Sequence, residues 1–156
     1  MHESGADGIN LDTVGAAGDA DFQASLTAAE KLRETYPDIC IELGMAGEFI
    51  LGMHSELEYD CVRLAGLYPH DQVKLAQKAG VTIFGPVVNT NTSESCPWNL
   101  SRAITFMKEC SRVATIPVHV NMGMGVGSVT VTDHPPIDIV SRASKAMVEI
   151  CRLDGL

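Results

Sequence analysis

The chain has 156 residues, 46% of them apolar and 5% aromatic, and its 11 Lys and Arg against 20 Asp and Glu give a formal net charge of -9. These values are typical of one globular domain and argue against nonspecific binding to nucleic acid phosphates or to an anionic membrane surface. No run of membrane-spanning length, secretory signal or C-x-x-C spacing is present, so we expect a cytoplasmic protein with reduced, mostly buried thiols.

Runs rich in Ile and Val alternate with amphipathic helices along the chain. The predicted strands are 8–12, 39–43, 81–84 and 117–121, and a fifth is predicted to open at 154–156. The predicted helices run from Asp19, as N-cap, to Pro37, from Pro69 to Gly80, over 98–113, and from Pro135 or Pro136 to Arg152. The residues of the last helix that its period places on the inner face are Ile137, Val140, Ala143, Met147 and Ile150.

Strands that alternate with helices at this spacing predict parallel pairing, in a doubly wound sheet or in a (β/α) barrel. No G-x-G-x-x-G follows the first strand and no Walker sequence is present, which weakens the nucleotide-binding form. Barrel enzymes collect their catalytic groups at the carboxyl ends of strands, and the polar residues found there are Asp12, Glu42, Asn89, Asn91, His119 and Asn121. We therefore predict an α/β fold, a partial TIM (β/α)8 barrel of about four β-α units in a single domain over residues 1–156.

The connection from Gly44 to Tyr68 is longer than the ~2 to 6 residues of most βα loops. We predict a functional excursion with a helix over 48–57. It would act as a lid or partner-binding surface over the barrel mouth, or it would complete the packing at a subunit contact.

Single residues at the strand ends have both a functional and a structural interpretation. Glu42 is the strongest candidate, because a carboxylate within an apolar strand costs free energy unless it is paired, protonated or binding. Asp12 ends the first strand and would bind a ligand or a neighbouring cation. His119, between two valines, would be a hydrogen-bonded core imidazole unless it points into the barrel. Together these three residues could hold a divalent metal, but no spacing rule supports this and we predict no metal site.

Two loops have compositions that suit ligand binding. The glycine run at 122–127 lets the backbone approach a ligand closely and can hold an anion through its N–H groups, or it is a flexible turn. The row of amides and hydroxyls at 89–93 can orient a polar ligand through Asn89 and Asn91, or it caps helices and forms turns.

Longer segments resemble the dimethylamine:corrinoid methyltransferases of methylamine metabolism and methanogenesis, a pyrrolysine-containing family. They are GADGINLDT (5–13), GAAGD (15–19), ELGMAGE (42–48), LGMH (51–54), FGPV (84–87), NTNTS (89–93), HVNMGMGVG (119–127) and SRASKAMVEI (141–150). The departures are Cys61, where the family pattern favours glycine, and the continuation SVTV at 128–131.

The resemblance implies a barrel that passes a methyl group from dimethylamine to the Co(I) corrinoid of a cognate corrinoid protein. It implies no cofactor bound directly by this chain, since the corrinoid is carried by the partner protein. It also implies a pyrrolysine beyond the end of the chain, because in the family that residue directly follows the run corresponding to 154–156. We therefore expect an internal fragment, truncated at both ends relative to the family, whose amber codon was read as a stop, and which is inactive alone. Uncovered sheet edges would favour a homo-oligomer.

Within this interpretation an acid is needed to protonate the pyrrolysine imine nitrogen, and Glu42 is the first candidate and Glu48 the second. The predicted substrate-binding residues are Asp12, Asn89, Asn91, His119 and Asn121. The residues predicted to lie against the corrinoid are Met45, Met122, Gly123, Met124 and Gly125. The alternatives are a non-catalytic βα protein that docks a corrinoid protein or another subunit, and a metal-dependent lyase built on the same strand ends.

Overall fold

The computed structural model describes residues 5–12, 18–44, 56–86, 97–120 and 137–156. Strands and helices alternate along them, as the hydrophobic pattern predicts. The elements are β1 (Gly8–Asp12), α1 (Asp19–Thr35), β2 (Cys40–Gly44), β3 (Glu58–Tyr59), β4 (Val62–Arg63), α2 (Pro69–Lys78), β5 (Ile83–Gly85), α3 (Pro97–Val113), α4 (Ile137–Ala146) and a π-helix (Met147–Cys151).

The strands form a parallel sheet in the order β1-β2-β5. Two isolated parallel bridges extend it, since Phe84 pairs with Val118 and His119 pairs with Gly155. The fourth predicted strand is thus present as bridges at 118 and 119, and the fifth as a bridge at 155. Neighbours in the sheet follow chain order without the reversal that marks a doubly wound sheet, at least across the part described. The mixed α/β fold is confirmed, and closure into a barrel stays a prediction.

One side of the sheet is covered by helices. Phe22 and Leu26 of α1 and Val73 and Ala76 of α2 are fully buried against Ile41, Leu43 and Phe84 of the strands. A second cluster joins α3 to the end of the chain through Ala103, Met107, Val120, Met147 and Cys151. Burial of these apolar side chains is the main favourable contribution to this arrangement.

The start of α1 differs from the prediction. Gly18 is the N-cap, with φ 54°, and Asp19 is the first helical residue. A backbone with positive φ suits glycine, so the chain turns into the helix there. Asp19 instead lies in the first turn, where an acidic residue is favourable to the helix dipole.

The last helix also differs from the prediction. Ala143 and Met147 are buried as predicted, but Ile137 is 85% exposed and Ile150 is 48% exposed. The cause at Ile150 is the π-helix over Met147–Cys151, whose wider turn holds an extra residue and brings Cys151 inward in its place. Ile137 is the first residue of α4, six positions before the buried Ala143.

A hairpin, β3-β4, lies within the long connection and was not predicted. Its two turn residues, Asp60 and Cys61, have φ 52° and 61°, the left-handed region that a tight two-residue hairpin requires. This conformation explains why glycine would suit position 61. Tyr59 bonds to Glu30 of α1 and Asp60 pairs with Lys78 of α2, so the hairpin is tied to both helices. The predicted helix over 48–57 lies mostly outside the described residues.

Within the described ranges, no helix combines the length and the apolar character needed to cross a membrane.

Candidate active site

The two faces of the sheet carry different residues because side chains alternate along a strand. In β2, Ile41 and Leu43 are fully buried under the helices, while Glu42 between them is half-buried. Val118 and Val120 are likewise fully buried, while His119 between them is half-buried. Glu42 and His119 therefore lie on the face away from the helices, which we call the open face.

On the open face, Glu42 of β2 and His119, which lies on the far side of β5, come together. Glu42 Oε1 lies 2.6 Å from His119 Nδ1, and the two side chains are 23% and 42% exposed. A contact this short between a carboxylate and an imidazole is a charge-assisted hydrogen bond. It involves residues 77 positions apart in the chain. His119 is consequently not a core imidazole packed among valines.

The backbone around His119 is held from both sides. Its N–H donates to the carbonyl of Phe84 at 3.0 Å. On the other side, the N–H of Val120 donates to the carbonyl of Gly155 at 3.3 Å, and the Asp154 carboxylate accepts from the N–H of Val118 at 2.9 Å. The imidazole thus projects from a segment anchored between β5 and the end of the chain.

The hydrogen bond between Glu42 and His119 determines which atom of the imidazole is available to a ligand. Since Nδ1 is bonded to Glu42, any further hydrogen bond of the His119 ring is made by Nε2. A carboxylate that accepts from Nδ1–H fixes the tautomer and orientation of the ring. The pair can therefore hold a proton and exchange it with a group on the open face.

The model of the dimethylamine methyltransferase family matches residues 1–156. The chain belongs to the dimethylamine methyltransferase family. The resemblance found in the sequence motifs is thereby confirmed, and the family is one of methyltransferases.

The structure places only some of the predicted site residues of this family member. Glu42 and His119 are brought together. Asp12 ends β1 in register with Gly44 of β2, two residues beyond Glu42, and its side chain lies outside the description. The remaining predicted residues lie outside the described ranges; they are Glu48, Asn89, Asn91, Asn121, Met45, Met122, Gly123, Met124 and Gly125.

Two residues of the open face were missed by the sequence analysis. Asn10 is the register partner of Glu42 on β1 and is exposed, which places an amide beside the pair. Gly155 bridges His119. The alternation within GINLD, with Ile9 and Leu11 packed against the core, is the signal that would have identified Asn10. No local signal identifies Gly155.

Groups of three or more His, Cys, Asp or Glu residues suited to a metal ion are not found in the described part of the chain. The Glu42–His119 pair thus has no third ligand-type side chain grouped with it in that part of the chain.

The described cysteines of this family member are free thiols. Cys110 and Cys151 are buried as predicted, Cys40 is half-buried, and Cys61 is exposed on the hairpin turn. Burial raises the pKa of Cys110 to about 12 and also raises the pKa of Cys151. Both buried thiols therefore stay protonated at neutral pH and are poor nucleophiles, because the thiolate is the reactive form.

Proposed function

We propose that this protein transfers a methyl group from dimethylamine to the Co(I) corrinoid of a separate corrinoid protein and releases monomethylamine. The single observation that carries the proposal is the Glu42–His119 hydrogen bond on the open face of a chain that matches the dimethylamine methyltransferase family along its whole length. When bound, the corrinoid would supply the nucleophile that takes the methyl group.

Charge balance supports a proton donor at the site. Removal of a methyl group as its cation from neutral dimethylamine leaves nitrogen one proton short of monomethylamine, so the leaving nitrogen must gain a proton. Glu42 was the first candidate for this acid. Its 2.6 Å bond to His119 supports a shared role, in which Glu42 orients the ring and the proton is delivered from the pair through His119 Nε2.

The bridge between Gly155 and His119 supports the location of the electrophile. Gly155 bridges His119, so Leu156 follows immediately beyond the pair. In the family resembled here, pyrrolysine directly follows the run corresponding to Asp154, Gly155 and Leu156. We place the imine of that residue, in the protein that carries it, within reach of the pair, where the amine would be captured and oriented. Orientation of this kind removes much of a reaction barrier.

The corrinoid belongs to a partner protein, so this chain must leave the reacting groups accessible. The 42% exposure of the His119 side chain fits that requirement. Asn10, in register with Glu42, would add a hydrogen-bonding group for the amine. The residues proposed to contact the corrinoid itself stay those of the glycine and methionine loops predicted from the sequence.

The test uses the protein expressed from its complete genomic reading frame, with the cognate corrinoid protein reduced to Co(I) and dimethylamine as substrate. The visible spectrum of the corrinoid reports its methylation, and chromatography reports monomethylamine. We expect Glu42→Gln and His119→Gln each to lower kcat by ~10²–10⁴-fold, the usual contribution of a general acid. Glu34→Gln, the same change at an exposed position of α1, should leave kcat unchanged.

Each result decides a different part of the proposal. Wild-type protein that binds the corrinoid protein but never methylates it would favour the docking alternative. Wild-type activity that survives both substitutions at the pair would refute the proton-donor role and leave the methyl transfer standing.

A further inference from the structure

We infer that Asp154 and Gly155 are positioning residues for His119: Asp154 fixes the backbone next to it, and Gly155 leaves room for the ring on the side opposite to its hydrogen bond with Glu42. The functional meaning of this inference rests on the proposed function, because it concerns the same proton-holding pair. Its structural content rests on contacts of the described residues alone.

Asp154 replaces a missing strand contact. In a continued parallel ladder beyond the His119–Gly155 bridge, the N–H of Val118 would donate to the carbonyl of residue 153. The chain instead arrives from the π-helix through Arg152, whose φ of 55° turns it sharply. The Asp154 carboxylate takes the place of that carbonyl and accepts from Val118 at 2.9 Å, while the Asp154 N–H donates to the Val118 carbonyl at 3.1 Å.

Gly155 gives the ring its space. A Cβ at position 155 would lie 3.0 Å from Cδ2 of His119 and 3.7 Å from its Cβ and Cγ, so the ring edge lies directly over the glycine. The backbone of Gly155 does not have a positive φ, so a side chain at this position is disfavoured by the ring rather than by the backbone.

The two contacts act on opposite edges of one imidazole. Nδ1 is 2.6 Å from Glu42, and Cδ2, on the other edge, lies over Gly155. A side chain at 155 would push the ring toward Glu42, but a hydrogen bond of 2.6 Å has no room to shorten. The ring would have to shift by a few tenths of an ångström, and its bond to Glu42 would be misaligned.

The test reads the pair directly by NMR, on the full chain labelled with ¹⁵N in histidine and in the backbone, without substrate. The His119 resonances are assigned by their absence in His119→Gln. In Gly155→Ala we expect the Nδ1 resonance to move away from its hydrogen-bonded position. In Asp154→Ala we expect the same shift and exchange of the Val118 amide faster by about 10-fold, because that amide loses its acceptor.

Two further variants separate positioning from general destabilisation. Asn at 154 keeps a carbonyl acceptor of the same shape, so Asp154→Asn should restore both the Nδ1 resonance and the slow Val118 exchange. Asp138→Ala removes an exposed carboxylate from α4 with the same change of charge, and should alter neither signal.

The inference is overturned if the Nδ1 resonance stays in place in both Gly155→Ala and Asp154→Ala, with circular dichroism showing folded protein. It is equally overturned if Asp154→Asn behaves like Asp154→Ala. If Gly155→Ala does not fold, the Asp154 pair of variants decides the question alone. A wild-type protein without methyl transfer activity would refute the proposed function and leave these spectra as valid as before.

Discussion

Gly80 is the residue at which substitution by alanine should be most informative about stability. It follows α2 with φ 91°, a conformation common just beyond a helix C-terminus and unfavourable for a residue with a side chain. A Cβ there would lie 2.7 Å from Cγ of Arg33 in α1. The Arg33 stem would have to move, although its guanidinium donates to the carbonyl of Ile39 at 3.2 Å.

The magnitude follows from three contributions to the free energy of unfolding. A left-handed backbone costs an alanine ~1–2 kcal/mol. The smaller entropy of the unfolded alanine chain offsets about 0.4–1 kcal/mol of this. Displacing Arg33 adds the loss of its hydrogen bond, ~0.5–1.5 kcal/mol. We therefore expect Gly80→Ala to lower the unfolding free energy by ~0.5–3 kcal/mol.

A matched glycine isolates the contribution of Arg33. Gly66 has φ 84° but nothing within 4 Å of a Cβ built on it, so Gly66→Ala carries the backbone cost alone. Urea denaturation of both variants should show Gly80→Ala to be the more destabilised by about 1 kcal/mol. In an Arg33→Ala background the two costs should become equal. Equal costs in the original background, or a difference that persists without Arg33, would refute the reasoning.

Three further predictions concern the core and its buried groups. Thr82→Val should lower the unfolding free energy, measured by urea denaturation, by ~1–3 kcal/mol. The Thr82 hydroxyl accepts a hydrogen bond at 2.8 Å from the backbone N–H of Ile41, and in the variant this N–H would lose its partner. The raised pKa of Cys110, about 12 against 9.0, stabilises the fold below pH 9, and this contribution is lost as pH rises toward 12. Denaturation of Cys110→Ala across that range should show a shallower decline than wild type, and an identical slope would contradict the assignment. Met147→Ala should lower the unfolding free energy by ~2–5 kcal/mol, and Ile150→Ala should lower it by well under half as much, because Met147 is buried and Ile150 is half-exposed. An equal or larger loss for Ile150→Ala would contradict the assignment of Cys151, rather than Ile150, to the inner face of the π-helix.

Periodic patterns were enough to predict most elements of the fold. The alternation around Glu42 and the spacing of Phe22, Leu26 and Ala29 reflect burial on one face, which a local window contains. The same alternation put Glu42 among the site candidates before any contact was known. Local chemistry also predicted the start of α2 at Pro69, where a residue without an N–H fits the first helical turn.

The features that escaped prediction depend on contacts between distant segments. The bond from Glu42 to His119 is set by strand order and register, which no window of either strand contains. The same register decides whether His119 is a core imidazole or a site residue, because it determines that the ring lies beside Glu42. The π-helix has no signature in apolar spacing, because Ile150 and Cys151 are both apolar and only packing against α3 decides which one turns inward.

The π-helix also determines which changes of chain length the protein tolerates. Because this turn holds one residue more than an α-helical turn, deleting one residue from Met147–Cys151 would let it relax to ordinary α-helical winding with little net rotation of the segment beyond it. Inserting one residue would instead rotate that segment by ~100° about the helix axis, so that Asp154 would no longer meet Val118. Single-residue insertions in this turn should therefore be far more damaging than single-residue deletions.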